Sequence, residues 1–216
     1  DTGPPTVTAP TSQSASGFST GADAVATSWA VSGQLATAVI ERSVDGAPFA
    51  SIPASGSATS ITQSLPYGHS YRYRVMATNW FGEASPWAYG PTITPAIIGD
   101  ASSSLRYAGV WHTQRYANYL TGSDHWSTSA GSTATLTFSG RAFSWVSATG
   151  PTRGRARVTV DGKLVATIDL GGKPTHSRVI ALSRAWSTSA THRVIITVVG
   201  TGSARRIDLD GFLILQ

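Results

Sequence analysis

Residues 65–82, LPYGHSYRYRVMATNWFG, constrain the fold of this chain more than any other stretch. Tyr73, Val75 and Ala77 repeat at the period of two that buries one face of a strand. Leu65 and Tyr71 stand where a tyrosine corner forms, with the Tyr71 hydroxyl returning to backbone upstream, and Asn79 with Gly82 closes the strand in a turn. The segment marks the end of a small β-sandwich and points away from a catalytic framework.

Upstream, VATSWAVS places Trp29 on a strand that alternates with Val25, Thr27 and Val31. TAVIERSVDGAPFASI reads as two strands joined at Asp45-Gly46, a strong hairpin signal. In this order, and with the corner, these pieces resemble a fibronectin type III domain over residues 1–95. The resemblance implies a seven-strand sandwich, commonly a spacer in secreted modular proteins.

A chain of 216 residues accommodates two domains of ordinary size. It has no cysteine, so neither disulfides nor thiolate metal sites hold it together. Charged residues make up only 12%, a balance that suits many short strands and polar loops. No apolar run approaches the ~18 residues of a membrane helix, and no basic-then-apolar leader precedes Asp1. The expectation is a soluble chain, either matured by loss of a signal peptide or part of something longer.

Charge is distributed unevenly. Residues 1–99 carry three basic and five acidic side chains, for −2, whereas residues 100–216 carry thirteen and six, for +7. A basic second half can attract acidic polymers, although a solvated basic surface gives the same count. No module that reads nucleic acid is recognisable, and charge alone supplies only nonspecific binding.

The segment GPTITPAIIGD separates the halves, since Pro91 and Pro95 interrupt strand pairing and Gly99-Asp100 supplies a turn. Beyond it come TATLTFSG, AFSWVSAT, ARVTVDGKLVATIDL, SRVIALS, HRVIITVVG and IDLDGFLIL, with a second Asp-Gly hairpin at Asp161-Gly162. Leu136 with Phe138, Phe143 with Trp145, Val158 with Val160, Val194 with Ile196 and Val198, and Phe212 with Ile214 each repeat at i, i+2. That is the pattern of sheets buried on one side. WSTSA occurs at 126–130 and again at 186–190, each with a Gly fourteen residues after its Trp, and reads as an echo of one structural unit.

The Y-x-G-x-W start at Tyr107, the F-x-G strand, the V-D-G hairpin and the terminal D-x-D-x-F strand resemble a galactose-binding-like jelly roll over residues 96–216. Such domains, carbohydrate-binding modules among them, are appended to secreted bacterial glycoside hydrolases and cell-surface proteins. The whole chain is therefore expected to be all-β, two sandwiches in tandem. In related jelly rolls a carboxylate near the last strand helps hold a structural calcium, so the resemblance implies Asp208 or Asp210 as ligands, with a turn or backbone-capping role as the alternative.

Sugar rings stack their C–H faces on aromatic side chains while nearby polar groups read the hydroxyls. Tyr116, Tyr119 and Trp126, with Asp124 and His125, bring that chemistry into a segment without clear alternation; packing within the sandwich is the competing use. Arg153, Arg155 and Arg157 alternate and would form a cationic stripe suited to uronic acids or phosphates, with Arg205 and Arg206 as additions. GFSTG satisfies the G-x-S-x-G pattern at Ser19 but lacks the strand, helix, His and acid of a nucleophile elbow, so a surface loop is expected there. The five histidines lack the spacing of a zinc site. The expected function is a non-catalytic, extracellular accessory module that attaches to polysaccharide, cell-wall glycan or another acidic polymer, possible structural calcium being its only cofactor. The alternative is a subunit that self-associates head to tail into a fibre or surface layer.

Overall fold

The alternating runs become strands in a computed structural model, which describes residues 3–172, 174–200 and 205–216. Among these residues there is no helix, and hence none long and apolar enough to cross a membrane. The chain divides into two units, Asp1–Pro95 and Ala96–Gln216.

The first unit contains β1 (Thr6–Val7), β2 (Thr11–Ser14), β3 (Ala22–Ser28), β4 (Val31–Ser32), β5 (Thr37–Val44), β6 (Ala50–Ser51), β7 (Ser60–Pro66), β8 (Tyr71–Thr78) and β9 (Ala88–Ile93). A three-stranded sheet, β2-β3-β7, and a four-stranded sheet, β6-β5-β8-β9, form the sandwich, while β1 and β4 make a short ribbon. Val25, Trp29, Ile40, Leu65, Tyr73, Val75 and Ala77 are buried between the sheets. The alternation read through Trp29 does not continue to Val31, which lies in β4 opposite Val7, because the chain leaves β3 after Ser28. The Tyr71 hydroxyl donates to the Pro66 carbonyl at 3.0 Å, closing the corner between β7 and β8.

At the β5–β6 turn Asp45 and Gly46 have φ of 51° and 79°, the left-handed pair that a two-residue hairpin turn demands. The Asp45 carboxylate also reaches the adjoining corner. It accepts the Ser70 backbone N–H at 2.8 Å and pairs with His69 Nδ1 at 2.6 Å, while Asp45 N–H donates to the Ser70 carbonyl at 2.9 Å.

The second unit contains β10 (Pro95–Gly99), β11 (Leu105–Ala108), β12 (His112–Arg115), β13 (Ser123–Ser127), β14 (Thr133–Thr149), β15 (Arg155–Val160), β16 (Lys163–Asp169), β17 (His176–Val198), β18 (Ile207–Leu209) and β19 (Gly211–Leu215). Its large sheet runs β10-β19-β14-β17-β15-β16, with β11 also paired to β14, and its small sheet runs β12-β13-β18. All the i, i+2 pairs read from the sequence enter one core, with Trp145 fully buried at its centre. Strand β19 departs from the one-sided pattern: Leu213 and Leu215 are buried along with Phe212 and Ile214.

Two pairs of expected strands are in fact single strands. TATLTFSG and AFSWVSAT merge into β14 with a register shift between Gly140 and Ala142. A Cβ on Gly140 would meet the Leu215 carbonyl oxygen at 2.6 Å, so this glycine admits a neighbouring backbone instead of ending the strand. SRVIALS and HRVIITVVG likewise join in β17. The second WSTSA lies inside β17, where Ala190 and Thr191 pair with Gly140 and Ser139, whereas the first ends β13 and enters a loop. The two copies are therefore not one structural unit.

Removal of the corner hydroxyl in Tyr71→Phe should destabilise the chain by ~1 kcal/mol. Urea unfolding of the two proteins measures this, and the ring burial that Phe retains separates the hydrogen bond from packing.

Candidate functional site

The small sheet of the second unit carries Asp124, His125, Trp126 and Asp208 of the residues singled out from the sequence. The registers His112↔Trp126↔Asp208 and Gln114↔Asp124 place these side chains on one face, because opposed residues share a side. Arg206, just before β18, extends over that face. Its guanidinium lies 4.6 Å from the Trp126 ring centroid and bonds Asp208 Oδ1 through Nε at 2.7 Å, Gln114 Oε1 at 3.0 Å and Asp124 Oδ2 at 3.3 Å through Nη2. From the turn before β15, Arg153 adds Nε to Asp208 Oδ2 at 2.7 Å and Nη2 to Oδ1 at 3.3 Å.

Asp208 is therefore a buried carboxylate held between two guanidinium groups, the arrangement that makes an interior charge tolerable. Its backbone carbonyl accepts the Ser147 hydroxyl at 2.6 Å, fixing β18 against β14. Burial is the main cause that raises Asp124 above the ordinary carboxylate range, and a shared hydrogen bond and like charge from Asp208 raise it further. Asp210 is pushed to about 7, chiefly by burial, although its Oδ1 accepts the Leu120 N–H at 2.6 Å. Arg206 is desolvated, which lowers it, but Asp208 and Asp124 hold it above its usual value.

The sequence-derived candidates separate on this frame. Tyr116 is on the surface, 54% exposed, in a turn closed by Tyr116 N–H to the Gly122 carbonyl at 3.1 Å. Its ring meets Tyr119 edge-on at 5.6 Å, and its hydroxyl accepts from Asn118 Nδ2 at 3.1 Å. Tyr119 is buried and cannot stack on a ligand; its phenol faces the network, and burial followed by the charge of Asp124 raises it. Trp126 is half-buried and stacks with exposed His112 at 4.5 Å. Asp124 is also buried and bonded to Arg206, which removes it as a reader of sugar hydroxyls.

His125 projects to the opposite side of β13. Its Nδ1 pairs with buried Asp100 Oδ2 at 2.8 Å and its ring stacks on Tyr107 at 4.4 Å, so it serves the packing of the unit. Of the three arginines read as a cationic stripe, Arg153 turns inward to Asp208, whereas Arg155, paired with Asp169 at 2.8 Å, and Arg157 are exposed on the same side of β15.

Of the carboxylates expected to hold a metal, both oxygens of Asp208 are engaged by guanidinium groups and Asp210 Oδ1 accepts from Leu120, whereas Asp210 Oδ2 is buried without a hydrogen-bond partner. A hard cation requires six or more oxygens, and among the described residues no group of three or more His, Asp or Glu is placed to hold a metal ion.

Sequence reasoning missed Gln114, His112 and Asp100. The first two lie on β12, which is exposed throughout and shows no alternation, so only its pairing with β13 reveals their face. Asp100, read as a turn residue, is a buried acceptor for Thr121, Ser123 and His125. In the first unit, the Ser19 hydroxyl accepts the N–H groups of Gly21 and Ala22 at 3.2 and 3.1 Å. It caps a turn, without a base beside it.

No family model matches the chain. It is 25% identical over 140 residues to an A type blood alpha-D-galactosamine galactosaminidase of Flavonifractor plautii, a match covering 65% of this chain but only 12% of that protein. Among solved structures, the CBM36-1 domain of a multidomain xylanase from the hindgut metagenome of Trinervitermes trinervoides overlays 57% of this chain and 97% of its own, at 12% identity and a TM-score of 0.40. An exo-beta-1,3-galactanase of Phanerochaete chrysosporium overlays 98% of this chain and 57% of its own, at 14% identity and a TM-score of 0.40. Likenesses at these scores decide nothing about ligand or activity.

Two measurements check the site's electrostatics. Asp210 retains its proton up to about pH 7 when folded but ionises near 4 when unfolded. Its contribution is thus full below pH 4 and lost as pH rises from about 4 to about 7. Denaturant midpoints should fall across that window, and Asp210→Asn, which keeps the acceptor for Leu120, should flatten the slope. Chelation of divalent cations should leave the thermal midpoint of the chain unchanged; a fall reversed by calcium would show that Asp208 and Asp210 do serve a metal.

Proposed function

We propose that the chain is a non-catalytic accessory region of a secreted protein, and that its second unit attaches to polysaccharide at the Tyr116–Trp126 face. The observation that carries this reading is the half-buried Trp126 ring stacked with His112, with the Arg206 guanidinium over it and bonded to the Gln114 amide, and the exposed Tyr116 ring in the turn that follows β12. An aromatic surface next to fixed polar groups suits a sugar ring, and the buried Asp208–arginine network beneath it keeps those groups in place at little entropic cost. The limited match to a carbohydrate-active enzyme, confined to a small part of that protein, supports an accessory role. Attachment would raise the local concentration of a tethered partner on the polymer, which requires only modest affinity. The three-on-four strand order and the Tyr71 corner support a fibronectin type III assignment for the first unit, whose role would be that of a spacer.

Affinity electrophoresis through neutral polysaccharides tests the reading. Retardation should weaken at least tenfold in Tyr116→Ala and Trp126→Ala, and should persist at moderate salt because stacking is not screened. Retardation that is unaltered in both variants would remove this face as the site.

A second reading, self-association, has one observation in its favour. Trp80 and Phe81, 74% and 66% exposed, form the tip of the β8–β9 connection in the first unit. If association is the function, gel filtration will show concentration-dependent species that vanish in Trp80→Ala/Phe81→Ala.

A further inference from the structure

The positive charge of the second unit has an outlet away from the Trp126 face. Between the β15–β16 turn and β17 lies a hollow of about 630 Å³, lined by Asp161, Lys163, Leu164, Val165, Arg184 and Trp186. Arg184 and Trp186 are two residues apart on β17 and so share a side of the strand. The Asp161-Gly162 turn brings Lys163 and Leu164 to the same hollow.

That turn is latched in position. The Asp161 carboxylate accepts the Arg193 N–H at 2.8 Å and pairs with His192 Nδ1 at 2.8 Å, and Asp161 N–H donates to the Arg193 carbonyl at 2.9 Å. The His192 imidazole in turn stacks on Trp186 at 3.7 Å with the rings 12° apart, and Trp186 rests on the core beside Phe143. The indole is thus a fixed platform with one face covered by His192. Leu164, 61% exposed, and half-buried Val165 extend the apolar floor.

The charges of this hollow are not balanced by direct pairs. Both Asp161 oxygens are engaged by β17, whereas among the described residues neither the Lys163 ammonium nor the Arg184 guanidinium makes a hydrogen bond or ion pair. Arg184 lies 5.8 Å from the Trp186 centroid, within reach of a charge carried by anything stacked there. An aromatic platform flanked by two cations without a direct partner, with Asp161 the one carboxylate in the lining, matches a sugar ring that bears an anion, which the guanidinium binds through two parallel N–H donors.

We propose that the Trp186 hollow is a binding site for an acidic glycan, with the pyranose ring on Trp186 and Leu164 and its carboxylate between Lys163 and Arg184. The ligand class is a hexuronate-containing polysaccharide. This site shares no residue with the Tyr116–Trp126 face and stands or falls separately from it.

Affinity electrophoresis of the whole chain in polygalacturonate, and in the same polymer with its carboxylates methyl-esterified, tests the proposal. The chain should be retarded by the acid polymer and at least tenfold less by the ester. Lys163→Gln/Arg184→Gln, both surface positions, should lose at least tenfold affinity for the acid polymer with an unchanged thermal midpoint, and Trp186→Ala should lose a similar amount. Trp126→Ala should bind the acid polymer as the parent does, which keeps this result distinct from attachment at the other face. No retardation of the parent chain, equal retardation by the ester, or full binding by the double variant would each overturn the assignment.

Discussion

The ion cluster around Asp208 is the interaction on which the second unit depends. One buried carboxylate is met by Arg153 from the turn before β15 and by Arg206 from the approach to β18, and Arg206 continues to Asp124 and Gln114 on the small sheet. Three pieces of chain distant in sequence are joined there by charged hydrogen bonds. The cost of burying such charges is offset only while every member is present, so removal of either partner leaves an interior charge exposed to the full desolvation penalty. Surface and interior are coupled here in a specific sense: the residues that present Trp126 and Arg206 outward are positioned by the same bonds that satisfy Asp208.

The large sheet works differently. Strands β14 and β17 remain paired from Thr133↔Thr197 to Thr149↔His176, and their irregularities are absorbed as register shifts without breaking the ladder. Along its other edge β14 changes partner, β11 pairing with its first part and β19 with its last. Gly140, between these two stretches, lets the Leu215 backbone approach. The Trp186 hollow depends on this continuity, since one strand, β17, carries Arg184 opposite Phe143 while its far end pairs with β15.

Much of this was legible in the sequence because period-two alternation reports burial directly. Tyr73, Val75 and Ala77, or Val194, Ile196 and Val198, announce a buried face whatever sheet they join. Strand continuity was not legible, since a Gly that admits a close backbone and a Gly that ends a strand look alike until the neighbour is known; Gly140 is the first kind. The candidate site was legible by composition but not by facing. Tyr116 and Tyr119 are three residues apart and chemically alike, yet one is exposed and the other buried. Arginine runs mislead for a related reason: Arg153 and Arg155 each pair with an aspartate from elsewhere in the chain, whereas Lys163 and Arg184 belong to no arginine run.

Both Asp-Gly turns share a construction. Asp45 captures the N–H of Ser70 and the imidazole of His69, and Asp161 captures the N–H of Arg193 and the imidazole of His192, so in each sandwich one side chain ties a hairpin to a further chain segment beside it. The usual advantage of Asn at such a turn is outweighed, because an amide cannot accept from two donors with both of its atoms. An aspartate that spans hairpin and neighbour fixes the relative phase of both. A one-residue slip of β5 against β8, or of β15 against β17, would then have to break the latch as well as turn a whole strand inside out.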